Sequence, residues 1–470
     1  MNKYLIPILS LIVFMAGCSL APDYLKPKSP VPESWPTGSA YEKEKDSLST
    51  KNASDIRWQD FIADEGLRKT IETALDNNRD LRLAALNVQR ARALYGIQRS
   101  ELYPSVDANA GVTAKRTPGD LTSSGSPSQT DQYDVNMGIA SWEIDFFGRI
   151  TSLKEKTLEE YLATEEANRS ARLLIVSETA KAYLRLARDL EILNLARTTF
   201  DTQEKTYHLI KRRFEVGIAT ELDVRRAQTQ VENARRDIAS YTQITAQDKN
   251  ALNLLTGSLS SLPEEVLPMN LADVTPFKEV AAGISSEVLL KRPDIQQAEH
   301  RLKAAYANIG AARAALFPRI TLTTTLGTAS SDLSGLFGQG SDAWTFAPKL
   351  SAPMFDARLW AALDATKAER EIAVVQYEKA IQTAFREVAD ALAVRGTVED
   401  QVTAQEALVN AAAETFRLSE TRYDKGADSY MSVLDSQRSL YSAQSGLVNL
   451  IHDKLANQVS LYKVLGGGAD

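Results

Sequence analysis

Sixteen prolines are spread over this 470-residue chain, yet none falls between Phe147 and Pro263 and none follows Pro353. Proline in a helix interior costs about 3 kcal/mol, because it lacks an amide hydrogen and its ring clashes with the preceding turn. Both stretches are therefore free to be helical almost throughout. Gly217 and Gly426 interrupt them, each soon followed by alanine and then by polar residues, Thr220-Glu221 and Asp428-Ser429. That order reads as helix stop, tight turn and N-cap. A helix from Arg149 to Glu215 would be roughly 100 Å long at 1.5 Å per residue, more than a compact globule can hold.

The two stretches belong to an internal repeat. Asn78-Arg79-Asp80-Leu81 recurs at Arg292-Pro293-Asp294-Ile295, Tyr103-Pro104 at Phe317-Pro318, Gly148-Arg149 at Ala357-Arg358, and Arg213-Phe214-Glu215-Val216-Gly217 at Arg422-Tyr423-Asp424-Lys425-Gly426. The offset is 214 early and 209 late, so the first copy holds five extra residues between Pro104 and Gly148. Each copy reads as short helices, strand, loop, strand, very long helix, turn, helix.

Apolar residues on the long helices are spaced three and four apart: Val176, Ala180, Tyr183, Ala187 and Leu190 in one copy, Val374, Tyr377, Ile381, Ala384, Val388 and Ala391 in the other. That is coiled-coil periodicity. Second stripes, Leu186 with Leu193 and Phe200, and Phe385 with Leu392, suit a helix packed on two sides in a closed ring. An ordinary two-stranded coiled coil needs one seam.

Alternation marks the strands. Val106, Ala108, Ala110, Val112 and Ala114 alternate with polar or small residues, as do Ile320, Leu322, Thr324 and Leu326. Partner strands run from Tyr133 to Phe146, with a slip in phase near Ser141 that suggests a bulge, and from Trp344 to Ala352. Each is about ten residues, enough for a tilted strand to cross a bilayer. Four strands cannot close a barrel, and open edges are not tolerated in lipid. Two copies would give eight strands and three would give twelve; only the larger leaves an appreciable hole. The sequence permits both.

Net charge is −7 with scattered basic residues, which argues against nucleic acid. The three histidines, His208, His300 and His452, lie far apart, and no phosphate loop, zinc spacing or nucleophile elbow is present. No enzyme, metal site or cofactor is expected. The single cysteine, Cys18, excludes an internal disulfide. It follows Lys3, an apolar run from Leu5 to Met15, and Ala16-Gly17, which is a short secretory signal ending in small residues. This looks like a bacterial lipobox with Met15 where leucine is usual, making Cys18 the lipidated first residue. Ser19 in place of the retention aspartate implies sorting to the outer membrane. The proline-rich stretch after it reads as an extended tether that needs a surface to lie on.

Together with that lipobox, the Ala21-Pro22-Asp23-Tyr24 and Pro32-Glu33-Ser34-Trp35 tether, Val216-Gly217, Asp223-Val224, Val433-Leu434-Asp435-Ser436-Gln437-Arg438 and Leu461-Tyr462-Lys463-Val464-Leu465-Gly466-Gly467-Gly468 carry a resemblance to the TolC-type outer-membrane factors. The lipoprotein branch similar to OprM and NodT is the nearest. The resemblance implies a mainly α fold with a transmembrane β-barrel portion: a homotrimer with a 12-stranded barrel continuous with a 12-helix periplasmic barrel. It also implies a passive export duct served by a periplasmic adaptor and an inner-membrane transporter of the RND type. Type I protein secretion and a non-conducting envelope scaffold are the alternatives, and paired amphipathic strands argue against the scaffold.

The expected division is a signal peptide over 1–17, a lipidated tether over 18–62, and repeat 1 over 63–257, with strands at 104–115 and 133–146 and helices at 149–215 and 220–256. A linker over 258–282 follows, then repeat 2 over 283–470, with strands at 318–328 and 343–353 and helices at 358–425 and 429–465. The resemblance places Met431 and Asp435 at the inward gate of a closed channel. Asp435, spaced 4 and 3 from Met431 and Arg438, would form an acidic ring with Arg438 as ion-pair partner and Asp428 nearby. Val216, Gly217, Thr220, Asp223, Val224, Gly426, Ser429 and Val433 flank the turns and are candidates to receive an adaptor hairpin.

Overall fold

The computed structural model describes residues 19–41, 53, 56–257, 262–280 and 285–468. Cys18 and the signal segment lie outside the described residues. The helices are α1 (Trp58–Phe61), α2 (Glu65–Asn77), α3 (Arg79–Ser100), α4 (Arg149–Glu215), α5 (Glu221–Thr256), α6 (Pro293–Ala314), α7 (Ala357–Asp424) and α8 (Tyr430–Val464). The strands are β1 (Asp107–Thr117), β2 (Ser128–Ile144), β3 (Arg319–Ser330) and β4 (Asp342–Ser351). At 67 and 68 residues, α4 and α7 fill the proline-free stretches up to their glycines. Among the described residues no helix is long and apolar enough to cross a membrane.

The chain divides into two compact units. One gathers the residues up to Lys28, Asn87–Glu165 and Gln297–Tyr377. It holds a single antiparallel sheet of order β1-β2-β3-β4, in which β1 and β4 are the edges. The expected slip appears as a register shift between Ile139 and Trp142. The first hairpin is longer than its hydrophobic pattern suggests, because Arg116 and Thr117 pair with Gln129 and Ser128. Polar residues stay in the ladder there because backbone pairing continues irrespective of side-chain polarity. The tether's first part lies on this unit: Arg313 donates to the Leu20 carbonyl at 3.2 Å, Lys26 pairs with Glu299 at 3.0 Å, and Tyr24 meets Tyr306 edge-on at 5.6 Å.

The other unit gathers Ser29–Leu86, Glu166–Gln296 and the chain from Glu378 onward. Its helices bury the expected stripes: Val176, Ala180, Tyr183 and Ala187 on α4, and Ile381, Ala384, Val388 and Ala391 on α7. The second stripe is buried too, at Leu186, Leu193 and Leu392, while Leu190 is half-buried. Here the tether continues, with Ser286 donating to the Pro32 carbonyl at 2.6 Å and Trp35 stacked on Phe385 at 5.2 Å. Two segments assigned to linkers belong instead to the core. Trp58 and Phe61, and Leu271, Val274, Phe277 and Val280, are all buried, with Phe61 stacked between Phe277 and Tyr462. Short apolar spacings broken by prolines hid this, because aromatic burial needs no regular element.

Candidate functional site

The second unit holds both interhelical turns, and each is built the same way. At the end of α4 the Gly217 amide donates to the Phe214 carbonyl at 2.9 Å and Ile218 to Arg213 at 2.8 Å. At the end of α7, Gly426 donates to Tyr423 at 2.9 Å and Ala427 to Arg422 at 2.8 Å. This is the Schellman pattern, which requires a left-handed residue, and Gly217 and Gly426 supply φ of +80° and +71°. The caps that follow differ. Thr220 and Asp223 form a reciprocal capping box on α5. On α8 the Ser429 side chain caps nothing; Asp428 instead accepts from the Ser429 amide at 2.8 Å and the Ser432 hydroxyl at 2.9 Å, and pairs with Arg422 at 3.3 Å. Those donors, the Ser429 amide foremost, hold the Asp428 carboxyl below its usual range.

Beneath the turns the two hairpins share one apolar cluster: Ile210, Val224, Ala227, Tyr430, Val433 and Leu434, flanked by Tyr207, Ala219, Phe416 and Tyr423. Burial pushes the Tyr430 hydroxyl well above its ordinary range. Above the cluster Arg213 of α4 pairs with Asp424 of α7 at 3.1 Å and lies over the Tyr423 ring at 5.1 Å. This bond between repeat copies was not anticipated from the sequence. The sequence alone did not single it out, because the repeat gives each arginine an equivalent acid in the other copy, Asp424 for Arg213 and Glu215 for Arg422, whereas Arg422 turns to Asp428.

Met431, Asp435 and Arg438 fall on one exposed face of α8, and Arg438 donates to Asp435. Asp428 is drawn into the turn and away from that face by its capping contacts. Of the tip residues, Val216, Gly217, Thr220, Gly426 and Ser429 are exposed and Asp223 is half-buried. Val224 and Val433 are buried in the shared cluster, so they shape the tip from inside. Ile218, absent from the sequence-based set, is 77% exposed beside Val216 and Leu222. An apolar residue directly after the turn glycine, with no helix face to bury it, is the signal that would have found it. Of the histidines, His300 lies 2.6 Å from Glu159 and His452 lies 3.0 Å from Asp453. Among the described residues no group of three or more His, Cys, Asp or Glu could hold a metal.

Residues 70–258 and 284–467 match the family model described as outer membrane efflux protein. The sequence is 45% identical over 464 residues to the solvent efflux pump outer membrane protein SrpC of Pseudomonas putida, covering 98% of each. It is 43% identical over 469 residues to the antibiotic efflux pump outer membrane protein ArpC of Pseudomonas putida, covering 100% of this chain and 96% of that one. The open state of the Neisseria gonorrhoeae MtrE outer membrane channel superposes with a TM-score of 0.86 at 37% identity, over 96% of this chain and 99% of that one.

Proposed function

The chain belongs to the outer membrane efflux protein family, and on that premise we propose that it is a trimeric, lipid-anchored duct for small molecules such as solvents and antibiotics. Its fold is TolC-like, its place is the outer membrane, and it is the outer-membrane channel of a tripartite efflux system. The periplasmic adaptor and the RND-type pump complete that system. The single observation that supports the oligomer is the four-stranded sheet with β1 and β4 as edges. Exposed apolar residues on it, among them Val112, Met137, Leu326, Trp344 and Phe346, suit a lipid-facing wall. Edge pairing among three copies gives twelve strands and leaves no free edge.

The tip carries gate and dock. Three copies of Asp435 form an acidic ring narrowed by Met431, and each Arg438 partly neutralises its own Asp435. The cluster and the Arg213–Asp424 pair hold the hairpins together in the closed state. The exposed apolar residues Val216, Ile218 and Leu222 around the first turn, with Thr220 and Ser429, receive the adaptor. Expression in an efflux-deficient strain carrying a cognate adaptor and pump tests the function. Restored resistance to toluene or antibiotics is the expected result; unchanged sensitivity with the protein present in the outer membrane overturns it. Photocrosslinkers at Ile218 and Ser429 test the dock, and absence of any adaptor adduct in resistant cells counts against it.

A further inference from the structure

The helical unit buries two carboxylic acids that the duct does not use. Asp189 of α4 and Asp248 of α5 are 2% and 8% exposed. Arg188 grips Asp189 through Nε and Nη2, at 2.9 and 2.8 Å, which commits that cation to one of the two acids. Asp248 meets the Asp189 side chain, and its Oδ2 is buried with no hydrogen-bond partner. Ionised carboxylates are acceptors only. Contact between two of them is a hydrogen bond only when a proton lies between. The other groups facing the pair are Arg185 of α4, Tyr241 of α5 with Asp237 beside it, and His452 of α8 with Asp453 beside it. None of them donates to the free Asp248 oxygen.

We propose that Asp189 and Asp248 form a proton-binding site that holds one shared proton and so fastens α4 to α5 as the surroundings acidify. Burial, and then the neighbouring Asp189, push the Asp248 carboxyl up from 3.8 to about 6. In the folded chain Asp248 therefore takes up its proton near pH 6, whereas an unfolded aspartate waits until about pH 4. Stability from this group is thus gained as pH falls through about 6 toward about 4. His452 works in the opposite sense: burial lowers its affinity for a proton, so its contribution falls below the ordinary histidine range. The pair's effect is isolated by comparing variants. Nothing in this site depends on the trimer, the gate or the cargo.

The test is difference infrared spectroscopy on the full-length protein in detergent, stepped from about pH 8 to about pH 5 across the histidine and carboxylate ranges. Hydrogen exchange of the α5 amides is followed in parallel. A protonated carboxylic acid band with a midpoint near pH 6, absent in Asp248→Asn, is expected. Exchange around Asp248 should slow several-fold with acidification beyond its intrinsic pH dependence, and in Asp248→Asn that extra slowing should vanish. If Asp248→Asn does not fold, Asp248→Glu serves in its place, and a shifted midpoint supports the site. No acid band above about pH 5, the same band in Asp248→Asn, or an unshifted one in Asp248→Glu overturns the proposal. So does slowing produced by calcium at constant pH, which would make the pair a metal site.

Discussion

In the proposed gate, single side chains at the tip set how firmly the duct would be shut. Asp435 and Arg438 are both substantially exposed, so their pairing contributes no more than about 1 kcal/mol to stability. On the proposed reading its worth lies in the charge it would set at the gate. Asp435→Ala removes the acid and should raise the closed-state leak while leaving expression unchanged; single-channel conductance in a planar bilayer reads this, and an unchanged leak sinks the ring. Arg213→Ala cuts the bond to Asp424 and the stacking on Tyr423, and the same recording should show more frequent opening. A double-mutant cycle with Asp424→Ala separates the pair from the ring, because coupling is expected only between those two positions. Thr220→Ala breaks the capping box and should destabilise the start of α5 by about 1 kcal/mol, seen as faster local hydrogen exchange.

At the scale of elements, two pairs of glycines serve opposite needs. Gly217 and Gly426 have positive φ and nothing within 4 Å of a would-be Cβ, so a side chain there meets only backbone strain. Gly217→Ala should cost about 1 kcal/mol and leave a folded, inserted protein. Gly138 and Gly327 sit in strands where an added Cβ would lie 2.1 Å from the Thr324 and Val135 carbonyl oxygens across the ladder. Gly138→Ala should therefore disrupt β2–β3 pairing, and loss of heat-modifiable mobility on gels together with low outer-membrane yield is the expected readout. On α4, Ala180 is fully buried in mid-helix, so Ala180→Pro should cost about 3 kcal/mol or more and abolish accumulation.

For the whole molecule, native mass spectrometry of the detergent-extracted protein should give three copies, and a dimer would contradict the twelve-stranded barrel. Much of this architecture was legible in the sequence. Long proline-free runs fix helices because one proline is enough to break them, and the stripe through Tyr183 and Ala187 is a local pattern repeated over many turns. The first hairpin was less legible, since Arg116 and Gln129 pair through backbone groups that side-chain alternation does not report. Trp58 and Phe277 were missed for a related reason, as irregular segments have no period to read.

By itself, then, the sequence determined the helix lengths, the turn glycines and the count of four strands, because each follows from rules acting within a few residues along the chain, and the repeat, because its two copies can be laid side by side without any contact between them. Only the tertiary structure decided that Val224 and Val433 face inward, that Ile218 faces outward, that Arg213 finds Asp424, and that Asp189 lies against Asp248. Those partners are far apart along the chain, and which of many acids or apolar residues meet is settled by how the helices are rotated against one another. That rotation is a property of packing, where burial of one whole face outweighs the preference of any single side chain.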